Sequence, residues 1–427
     1  MHSGAPEPEP DTAPAFRPEQ GAFAVGIATR NQADSIGSLV HSIDRGLRAV
    51  FPDGNTVVIH ADAGSQDGSL ERARESLPDA EGRLVQVRFE SSALAVPQSA
   101  GMLDPAALRA ILQEAERLGL PGCAVLDTQV RSLPPAWVER LTRAVVGEGL
   151  DVVAPYYLRH PFEGTITSAL AYPLVRALFG RQVRYPLFAD FACSAKFRSA
   201  VLSEGPWPDE LGRVGAETWL ITRAVTGNFQ LGQTFLGVKD TAGIEWAAGH
   251  EVADVLVRVL GALFLSAERF ASAWQKTRRS VPVPLLGGPQ AGSPEPRAID
   301  PARALEFFRL GARNLHEVWQ VVLSPAELLD LAKLARQPVE TFRFPDALWA
   351  RIVYDFALAH RLRVMSRDHL LSAFVPLYQG WLAGFALELP DADPAAADQR
   401  IEQLCLRFES EKPYLIARWR WPDRFSP

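Results

Sequence analysis

Short apolar runs alternate with stretches of helical periodicity over the first half of the chain. Residues 23–28 form a continuous apolar run of the buried-strand type, and apolar residues then recur at helical spacing from Ile36 to Leu47. This alternation predicts the α/β fold class, with a mainly parallel sheet covered by helices on both faces. Ligands of such sheets bind at the carboxyl ends of the strands. Further strands are predicted at residues 56–61, 84–87, 124–126 and 152–154.

The second half of the chain is predicted to be mostly helical. Helical spacing dominates residues 172–265, although residues 233–238 are compatible with another strand. A Pro- and Gly-rich stretch follows, and beyond it apolar residues again recur at helical spacing. The predicted organisation is a disordered leader at residues 1–20, an α/β domain at 21–280, a linker at 281–300 and a helical domain at 301–427.

Composition and charge narrow the classes of function. The 427 residues include 44 Lys and Arg against 50 Asp and Glu, which gives a net charge of −6. This mildly acidic balance argues against a nucleic-acid-binding protein, whose binding surface needs an excess of positive charge. Apolar residues make up 47% of the chain, which excludes a mostly disordered protein.

Cysteine usage and the apolar stretches indicate the compartment. The three cysteines form no CxxC pair and no disulfide framework, so buried free thiols in a reducing cytosol are predicted. Residues 1–20 lack the basic and apolar regions of a signal peptide. The longest apolar stretch, residues 252–270, is interrupted by four charged side chains and is too polar for a membrane span. A cytoplasmic protein without a membrane span is expected.

Polar side chains follow the second predicted strand in the segment ADAGSQDGS. Asp62 stands at the strand end, where its carboxylate can accept a hydrogen bond from a nucleobase imide or a ribose hydroxyl. Gly64 lets the backbone turn sharply beside a ligand, and Ser65 and Asp67 lie in the same turn. A plain Asp- and Gly-rich turn is equally compatible with this pattern.

After the fourth predicted strand, Asp127 stands where a diphosphate and its cation would lie. Mg²⁺ and Mn²⁺ prefer carboxylate oxygens, and a divalent ion would neutralise a leaving diphosphate. Gln129 supplies only an amide, so this pair makes a poor divalent site. A strand-end Asp that caps the next turn explains the pattern equally well.

The densest group of polar side chains lies in the segment YYLRHPFEGTIT. Arg159 offers a fork suited to a carboxylate or a phosphate, and Glu163 is placed to orient an acceptor hydroxyl. Thr165 and Thr167 add two hydroxyl groups. Taken alone, an Arg/Glu surface pair is the more common origin of such a pattern. Glu217 opens a later helix, a position at which acidic side chains commonly favour the helix dipole.

Together these segments resemble one family, the nucleotide-sugar glycosyltransferases of GT-A fold, and specifically the mannosylglycerate and glucosylglycerate synthases. The resemblance runs from about residue 23 to residue 419 and depends on the order and spacing of the motifs. It implies a Rossmann-like GT-A domain at residues 21–280. The motifs are ADAGSQDGS, LDTQVRSLPPAW, APYYLRHPFEGTIT, VRYPLFADFACS, GAETWLITRAV, QTFLGVK and FPDALWARIVYDFA.

The resemblance implies retaining transfer of a hexose from a nucleoside-diphosphate sugar to the 2-hydroxyl of D-glycerate or, in related enzymes, 3-phosphoglycerate. Asp62 would contact the nucleoside and Asp127 the ribose or sugar, while Glu217 takes the place of an Asp that faces sugar and acceptor. The implied site residues are, for the donor, Asp62, Gly64, Ser65, Asp67, Asp127 and Gln129, for the acceptor, Arg159, Glu163, Thr165 and Thr167, and for catalysis, Glu217 and Asp127.

The chain departs from the family pattern at the diphosphate. Gln129 replaces the second carboxylate of an Asp-x-Asp motif, and Asp240 or Thr241 stands where a metal-binding His is expected. The loop at residues 96–101 lacks the Lys that the family uses against the donor. Mg²⁺ or Mn²⁺ is therefore expected to bind weakly or not at all, with Asp127, Gln129, Asp240 and Thr241 as the candidate ligands.

Three hypotheses are compatible with this pattern. The first is a hexosyltransferase in which Arg, Lys or helix N-termini replace the cation. The second is a degenerate paralogue without transfer activity, which binds a nucleotide sugar or a carboxylate as a regulatory or partner subunit. The third is a working transferase with a different acceptor. The long helices and the Trp-rich tail are compatible with a homodimer, but nothing in the sequence specifies one.

Overall fold

The computed structural model describes residues 22–77, 79–91, 104–130, 132–204, 207, 216–239, 250–288 and 292–422. Every strand predicted from an apolar run is present in these ranges, including the one at residues 233–238. The strands are β1 (Ala22–Thr29), β2 (Asn55–Asp62), β3 (Leu84–Arg88), β4 (Gly122–Leu126), β5 (Val152–Leu158), β6 (Arg181–Gln182), β7 (Phe191–Ser194), β8 (Leu231–Val238), β9 (Val281–Pro282) and β10 (Leu285–Leu286).

Within the described ranges, eight strands form one sheet in the order β10-β8-β5-β7-β4-β1-β2-β3. β1 pairs in parallel with β2 and β4, and β5 pairs in parallel with β8. β7 runs antiparallel to both of its neighbours, β4 and β5. The predicted fold class, α/β with a mainly parallel sheet, is confirmed. Because β7 is antiparallel, Asp190, which precedes it, lies at the edge of the sheet where the parallel strands end.

Helices cover both faces of the sheet, as predicted. On one face, α1 and α4 bury Ile43 and Leu141 against Val25 of β1. On the other face, α3 approaches β1 so closely that a Cβ added to Gly26 would lie 2.2 Å from Ile111 Cγ2. The helices of this half are α1 (Ala33–Val50), α2 (Ser69–Glu75), α3 (Pro105–Arg117), α4 (Pro135–Val146), α5 (Tyr172–Phe179), α6 (Ala195–Leu202), α7 (Glu217–Thr226), α8 (His250–Arg269) and α9 (Ala271–Trp274).

Residues 301–422 are mostly helical, which also confirms the prediction. These helices share a hydrophobic core with α3 and α5, because Trp349 and Phe408 belong to the same buried cluster as Ile111 and Leu174. The indole N–H of Trp349 donates a hydrogen bond to the carbonyl of Ala169 at 2.9 Å. The helices are α10 (Pro301–Asn314), α11 (His316–Val322), α12 (Pro325–Leu334), α13 (Asp346–Leu362), α14 (Arg367–Glu388) and α15 (Pro394–Arg420).

The predicted linker takes part in the sheet half of the molecule. Its first residues form β9, which pairs with β6, and β10, which pairs in parallel with β8 at the edge of the main sheet. The predicted leader lies outside the described residues. The domain boundaries stay a prediction.

One described helix, α14, is long and apolar enough to cross a membrane by length and composition. In this fold 78% of the most apolar 18-residue stretch of α14 is buried against other parts of the chain. Because a core helix passes the same test, α14 is weak evidence for a membrane span.

Candidate active site

The carboxyl edge of the sheet brings the predicted donor and acceptor residues into one row. Asp62 ends β2, Asp127 directly follows β4, and Arg159 directly follows β5. In the sheet, β1 separates β2 from β4, and β7 separates β4 from β5. Because neighbouring strands lie about 4.8 Å apart, these three positions follow one another at intervals of roughly 10 Å. A long ligand lying across the strand ends would meet them in this order.

Asp62 shapes the turn that follows β2. Its Oδ2 atom accepts hydrogen bonds from the backbone N–H groups of Gly64 and Ser65, both at 2.9 Å. Gly64 has a φ of 81°, in the left-handed region that glycine adopts without strain. The Oδ1 atom of Asp62 is buried and has no hydrogen-bond donor in the described part of the chain. An unpaired buried acceptor is costly, so this oxygen is suited to an N–H or O–H group of a ligand.

Ser65 and Asp67 bind the neighbouring loop. Ser65 Oγ accepts from the backbone N–H of Asn31 at 2.8 Å, and Asp67 accepts from that of Ala33 at 2.9 Å. Hydrogen bonds from the hydroxyl of Ser69 and from Ala33 lower the pKa of Asp67 below its ordinary value. These contacts join the turn after β2 to the start of α1, so both side chains have a structural role. Their predicted contacts with a donor stay predictions.

The Lys239 ammonium group lies between two carboxylates. Its Nζ atom is 2.9 Å from Oδ2 of Asp127 and 2.6 Å from Oδ2 of Asp190. Asp190 is fully buried, and its Oδ1 atom accepts from the backbone N–H of Asp127 at 2.8 Å. The Tyr157 hydroxyl also donates to Asp190, and the Tyr157 ring centre lies 5.3 Å from Nζ. Lys239 is thus held by two carboxylates and one aromatic face.

Burial and charge act in opposite directions on Lys239. Burial lowers the pKa of its ammonium group, but Asp127 and Asp190 raise it, and the resulting pKa lies above the ordinary lysine value. Burial and the charge of Asp190 raise the pKa of Tyr157 well above its ordinary value. At neutral pH the lysine is therefore charged and the tyrosine is a neutral hydrogen-bond donor. The Arg159 guanidinium lies close enough to act on the same ammonium group, so two cations of the chain meet at this part of the edge.

The sequence predictions did not include Asp190, Lys239 or Tyr157 in the site. Asp190 precedes β7, and it reaches the carboxyl edge only because that strand is antiparallel. Lys239 follows β8, which lies three positions from β4 in the sheet. Both positions carry one usable sequence signal, because each is a charged residue directly beside a buried apolar run.

Arg159 is held by aromatic rings and by an acid. Its guanidinium carbon lies 5.0 Å from the ring centre of Tyr157 and 5.3 Å from that of Tyr185. Its Nη1 atom lies 3.4 Å from Oε1 of Glu163. Its Nε–H group is buried and has no hydrogen-bond acceptor among the described residues. A fixed guanidinium with an unpaired N–H is suited to a carboxylate or phosphate oxygen.

The two predicted acceptor threonines lie where the sheet half meets the helical half. The Thr165 hydroxyl lies 2.6 Å from the hydroxyl of Tyr378, which belongs to α14. Thr167 is buried and begins a π-helical turn, Thr167–Ala171, that leads directly into α5. Turns of this kind occur frequently at functional sites. Thr165 thus links the predicted acceptor segment to α14, and the acceptor role of the four residues stays a prediction.

The remaining predicted residues have clear positions or lie outside the described ranges. Glu217 is buried at the first residue of α7. Burial lowers the pKa of the Arg258 guanidinium, and the charges of Asp254 and Glu217 oppose this shift. The backbone N–H of Gln129 donates to Asp127 Oδ1 at 2.9 Å, which closes the turn after β4. Asp240, Thr241 and the loop at residues 96–101 lie outside the described residues.

No family model matches the chain, and no curated protein matches it. Solved structures do match, among them crystal structures of glucosyl-3-phosphoglycerate synthase from Mycobacterium tuberculosis. The complex with Mn²⁺, uridine diphosphate and glucosyl-3-phosphoglycerate is 21% identical, with a TM-score of 0.40, over 57% of this chain and 80% of that chain. The complex with phosphoglyceric acid is 22% identical, with a TM-score of 0.41, over 57% and 79% of the two chains. These synthases are what the chain is similar to.

The described residues beside Asp127 do not fit a divalent ion. Asp127 and Asp190 are the carboxylates that lie close together there, and both contact Lys239, whose charge repels a second cation. No group of three or more His, Cys, Asp or Glu side chains within the described ranges is arranged to hold a metal ion. Gln129 uses its backbone to close a turn, and an amide is a weaker divalent ligand than the carboxylate it replaces.

Proposed function

We propose that this chain is a retaining glycosyltransferase that moves a hexose from a nucleoside-diphosphate sugar to a small hydroxy acid such as D-glycerate. The observation that carries the proposal is the row of Asp62, Asp127 and Arg159 along the carboxyl edge of the sheet. A donor lying along this row meets one side chain with its nucleoside, one with its sugar and one beside the acceptor. Transfer between two substrates requires this kind of ordered positioning.

The donor end of the row is Asp62. Its unpaired Oδ1 atom is an acceptor for an N–H group of the base or a hydroxyl of the ribose. Its Oδ2 atom is already used to hold the turn at Gly64 and Ser65, so the carboxylate is fixed before a ligand binds. A fixed acceptor loses little conformational freedom on binding.

The acceptor end of the row is Arg159. Tyr157, Tyr185 and Glu163 hold its guanidinium, and its unpaired Nε–H would donate to the carboxylate of the hydroxy acid. Glu163, next to the guanidinium, is placed to orient the hydroxyl that receives the sugar. Thr165 and Thr167 would contribute further contacts from the same segment.

The proposed chemistry relies on positioning. Retention of the anomeric configuration is usually explained by attack of the acceptor hydroxyl on the same face of the hexose that the diphosphate leaves. The departing diphosphate assists this attack. Such a step needs donor and acceptor held together and needs no strong base. Asp127 and Glu217 are the proposed contacts to the sugar, by the resemblance of their motifs.

The test is calorimetric titration with UDP-glucose, GDP-glucose and GDP-mannose, followed by a transfer assay with D-glycerate for each donor that binds. We expect one donor to bind and its hexose to appear in the product with retained anomeric configuration. Arg159→Ala should raise the KM for glycerate at least about tenfold with donor affinity unchanged, because a charge-assisted hydrogen bond is lost. Asp62→Asn should weaken donor binding instead.

The matched control is Arg313→Ala, because Arg313 is an exposed arginine in the last turn of α10. It should change neither donor affinity nor the KM for glycerate. Failure of all three donors to bind contradicts the proposal. Turnover by Arg159→Ala at the parental KM contradicts the acceptor role of this residue.

A second candidate function is a binding subunit without transfer activity. The observation that favours it is that the cations at the edge already contact acids of the same chain, Lys239 with Asp127 and Asp190, and Arg159 with Glu163. A bound donor without transfer to any small hydroxy acid would support this function. The double substitution Gln129→Asp with Thr241→His, made in a chain that also carries Lys239→Ala, would then be expected to gain metal-dependent turnover.

A further inference from the structure

The placement of Lys239 bears on how the donor diphosphate is neutralised. Nζ lies 2.9 Å from Asp127 Oδ2 and 2.6 Å from Asp190 Oδ2. A metal ion bound by these two oxygens would occupy the same place as the ammonium nitrogen. The lysine and a divalent ion therefore exclude each other at this position.

We propose that the Lys239 ammonium group is a built-in replacement for a divalent cation at the donor diphosphate, so that donor binding by this chain needs no metal ion. This inference rests on the proposed function for the identity of the donor, and it deepens that function by assigning the cation. It gives Lys239 and Asp190 roles that the sequence motifs did not assign.

The surroundings of Lys239 support a permanent cation. The side chain is only 5% exposed, and Asp190 is completely buried. Asp190 is itself fixed by the Tyr157 hydroxyl and by the backbone N–H of Asp127. The cluster is thus assembled from the chain alone, since each polar partner is held by another partner within the fold.

The position of the cluster along the edge fits this role. Asp127 is the middle member of the row between the nucleoside contact Asp62 and the acceptor contact Arg159. A diphosphate joins the nucleoside to the sugar, so its phosphates would lie between the nucleoside contact Asp62 and the sugar contact Asp127, on the side of Asp127 where the sugar begins. One ammonium group carries half the charge of a divalent ion, and its presence at the site does not depend on the concentration of free metal.

The first experiment measures metal binding without any sugar nucleotide. The full-length chain is stripped with EDTA and titrated with Mn²⁺, and free Mn²⁺ is followed by electron paramagnetic resonance. We expect no saturable binding by the parent chain at millimolar Mn²⁺. Lys239→Ala should bind Mn²⁺ at least about tenfold more tightly than the parent, because two adjacent carboxylates then lose their cation. The double variant with Asp127→Asn should lose this gain.

A matched control separates this effect from general loss of a lysine. Lys196 also forms an ion pair with an aspartate, Asp151, with Nζ 2.8 Å from Oδ2. Asp151 precedes β5 and therefore lies at the opposite edge of the sheet. Lys196→Ala should gain no Mn²⁺ binding. Tight Mn²⁺ binding by the parent chain, equal to that of Lys239→Ala, would overturn the proposal.

A second measurement on the parent chain keeps the proposal testable if Lys239→Ala does not fold. Each nucleotide sugar is titrated once in EDTA and once in Mn²⁺. The two donor Kd values are expected to agree within about twofold, whereas a tenfold difference would correspond to about 1.4 kcal/mol. A donor Kd that Mn²⁺ lowers by tenfold or more overturns the role of Lys239. If no donor binds in either condition, the proposed function fails, while the Mn²⁺ titration still decides whether Lys239 excludes a metal.

Discussion

The hydroxyl groups of Thr165 and Tyr378 lie 2.6 Å apart, although 213 residues separate them in the chain. Thr165 belongs to the segment with the predicted acceptor residues, and Tyr378 lies in the middle of α14. Tyr378 is almost fully buried, and burial raises the pKa of its hydroxyl above the ordinary value, so it stays a neutral donor or acceptor. The helical half of the chain thus fixes the proposed acceptor segment.

Tyr378→Phe tests this link. We expect a loss of about 0.5–1.5 kcal/mol in the free energy of unfolding, because one hydrogen bond between hydroxyl groups is removed while the ring stays packed. Urea denaturation measures the loss. In a double-mutant cycle with Thr165→Ala, the two losses should be less than additive. Fully additive losses would show that the two hydroxyls do not interact.

Gly164→Ala should disturb Arg159. Gly164 has a φ of 65°, and an added Cβ would lie 3.3 Å from Arg159 Nη1. We expect a loss of roughly 1–2 kcal/mol in the free energy of unfolding from the left-handed backbone. We also expect weaker binding of the hydroxy acid, because the guanidinium must move. Urea denaturation and the KM for D-glycerate are the two measurements.

Gly149→Ala is the matched control for this substitution. Gly149 has a φ of 69°, and an added Cβ would meet no atom within 4 Å. It should lose a similar free energy of unfolding and leave the KM for glycerate unchanged. Equal effects of the two variants on KM would contradict the proposed contact of Arg159 with the acceptor.

Lys412→Met should destabilise the contact between the two halves. Lys412 of α15 is buried, and its Nζ donates to the carbonyls of Ala177 at 2.7 Å, Leu178 at 3.2 Å and Thr277 at 2.8 Å. Two of these carbonyls lie in the last turn of α5, where helices leave acceptors unpaired. Methionine has a similar length and no donor, so we expect a loss of about 3 kcal/mol in the free energy of unfolding.

The control for this prediction is Lys333→Met. Lys333 is exposed, with its Nζ 3.1 Å from Asp330 one turn earlier in α12. Its removal should change the free energy of unfolding by about 0.5 kcal/mol or less, since exposed ion pairs contribute little. Similar losses for the two variants, measured by urea denaturation, would show that the Lys412 contacts do not stabilise the fold.

His60 should make the stability depend on pH. Burial lowers the pKa of its ring below the ordinary value of 6.5, although the charge of Asp62 opposes the shift. The unfolded chain therefore binds a proton near pH 6.5, while the folded chain takes it up only at lower pH. This contribution to stability is present above the unfolded pKa and is lost as the pH falls through the folded pKa.

The measurement is the free energy of unfolding of the parent chain and of His60→Gln at about pH 7.5 and about pH 5.5. The slopes of this free energy against pH should differ by at most about 1.4 kcal/mol per pH unit. In the fold, His60 Nε2 lies 2.7 Å from Thr29 Oγ1, and glutamine retains a group that can bond there. The parent chain should lose more stability on acidification than the variant. Parallel losses would place the pH dependence on other groups.

The sequence by itself determined most of the secondary structure and the row of proposed contacts. Apolar runs predicted the strands because buried parallel strands are apolar on both faces. Asp62, Asp127 and Arg159 could be selected because the carboxyl ends of parallel strands meet at one edge, wherever the strands lie in the sheet. The pairing of Arg159 with Glu163 follows from four residues of spacing in one turn. Local pattern was sufficient for each of these.

Only the tertiary structure decided what surrounds that row. Lys239 and Asp190 are 49 residues apart, and they meet because β7 reverses direction and only β5 separates it from β8 in the sheet. Tyr378 reaches Thr165 only because α14 docks on the segment that holds Thr165. Strand direction, strand order and helix docking follow from the packing of the whole apolar core, and that packing leaves no periodic mark on the residues that it brings together.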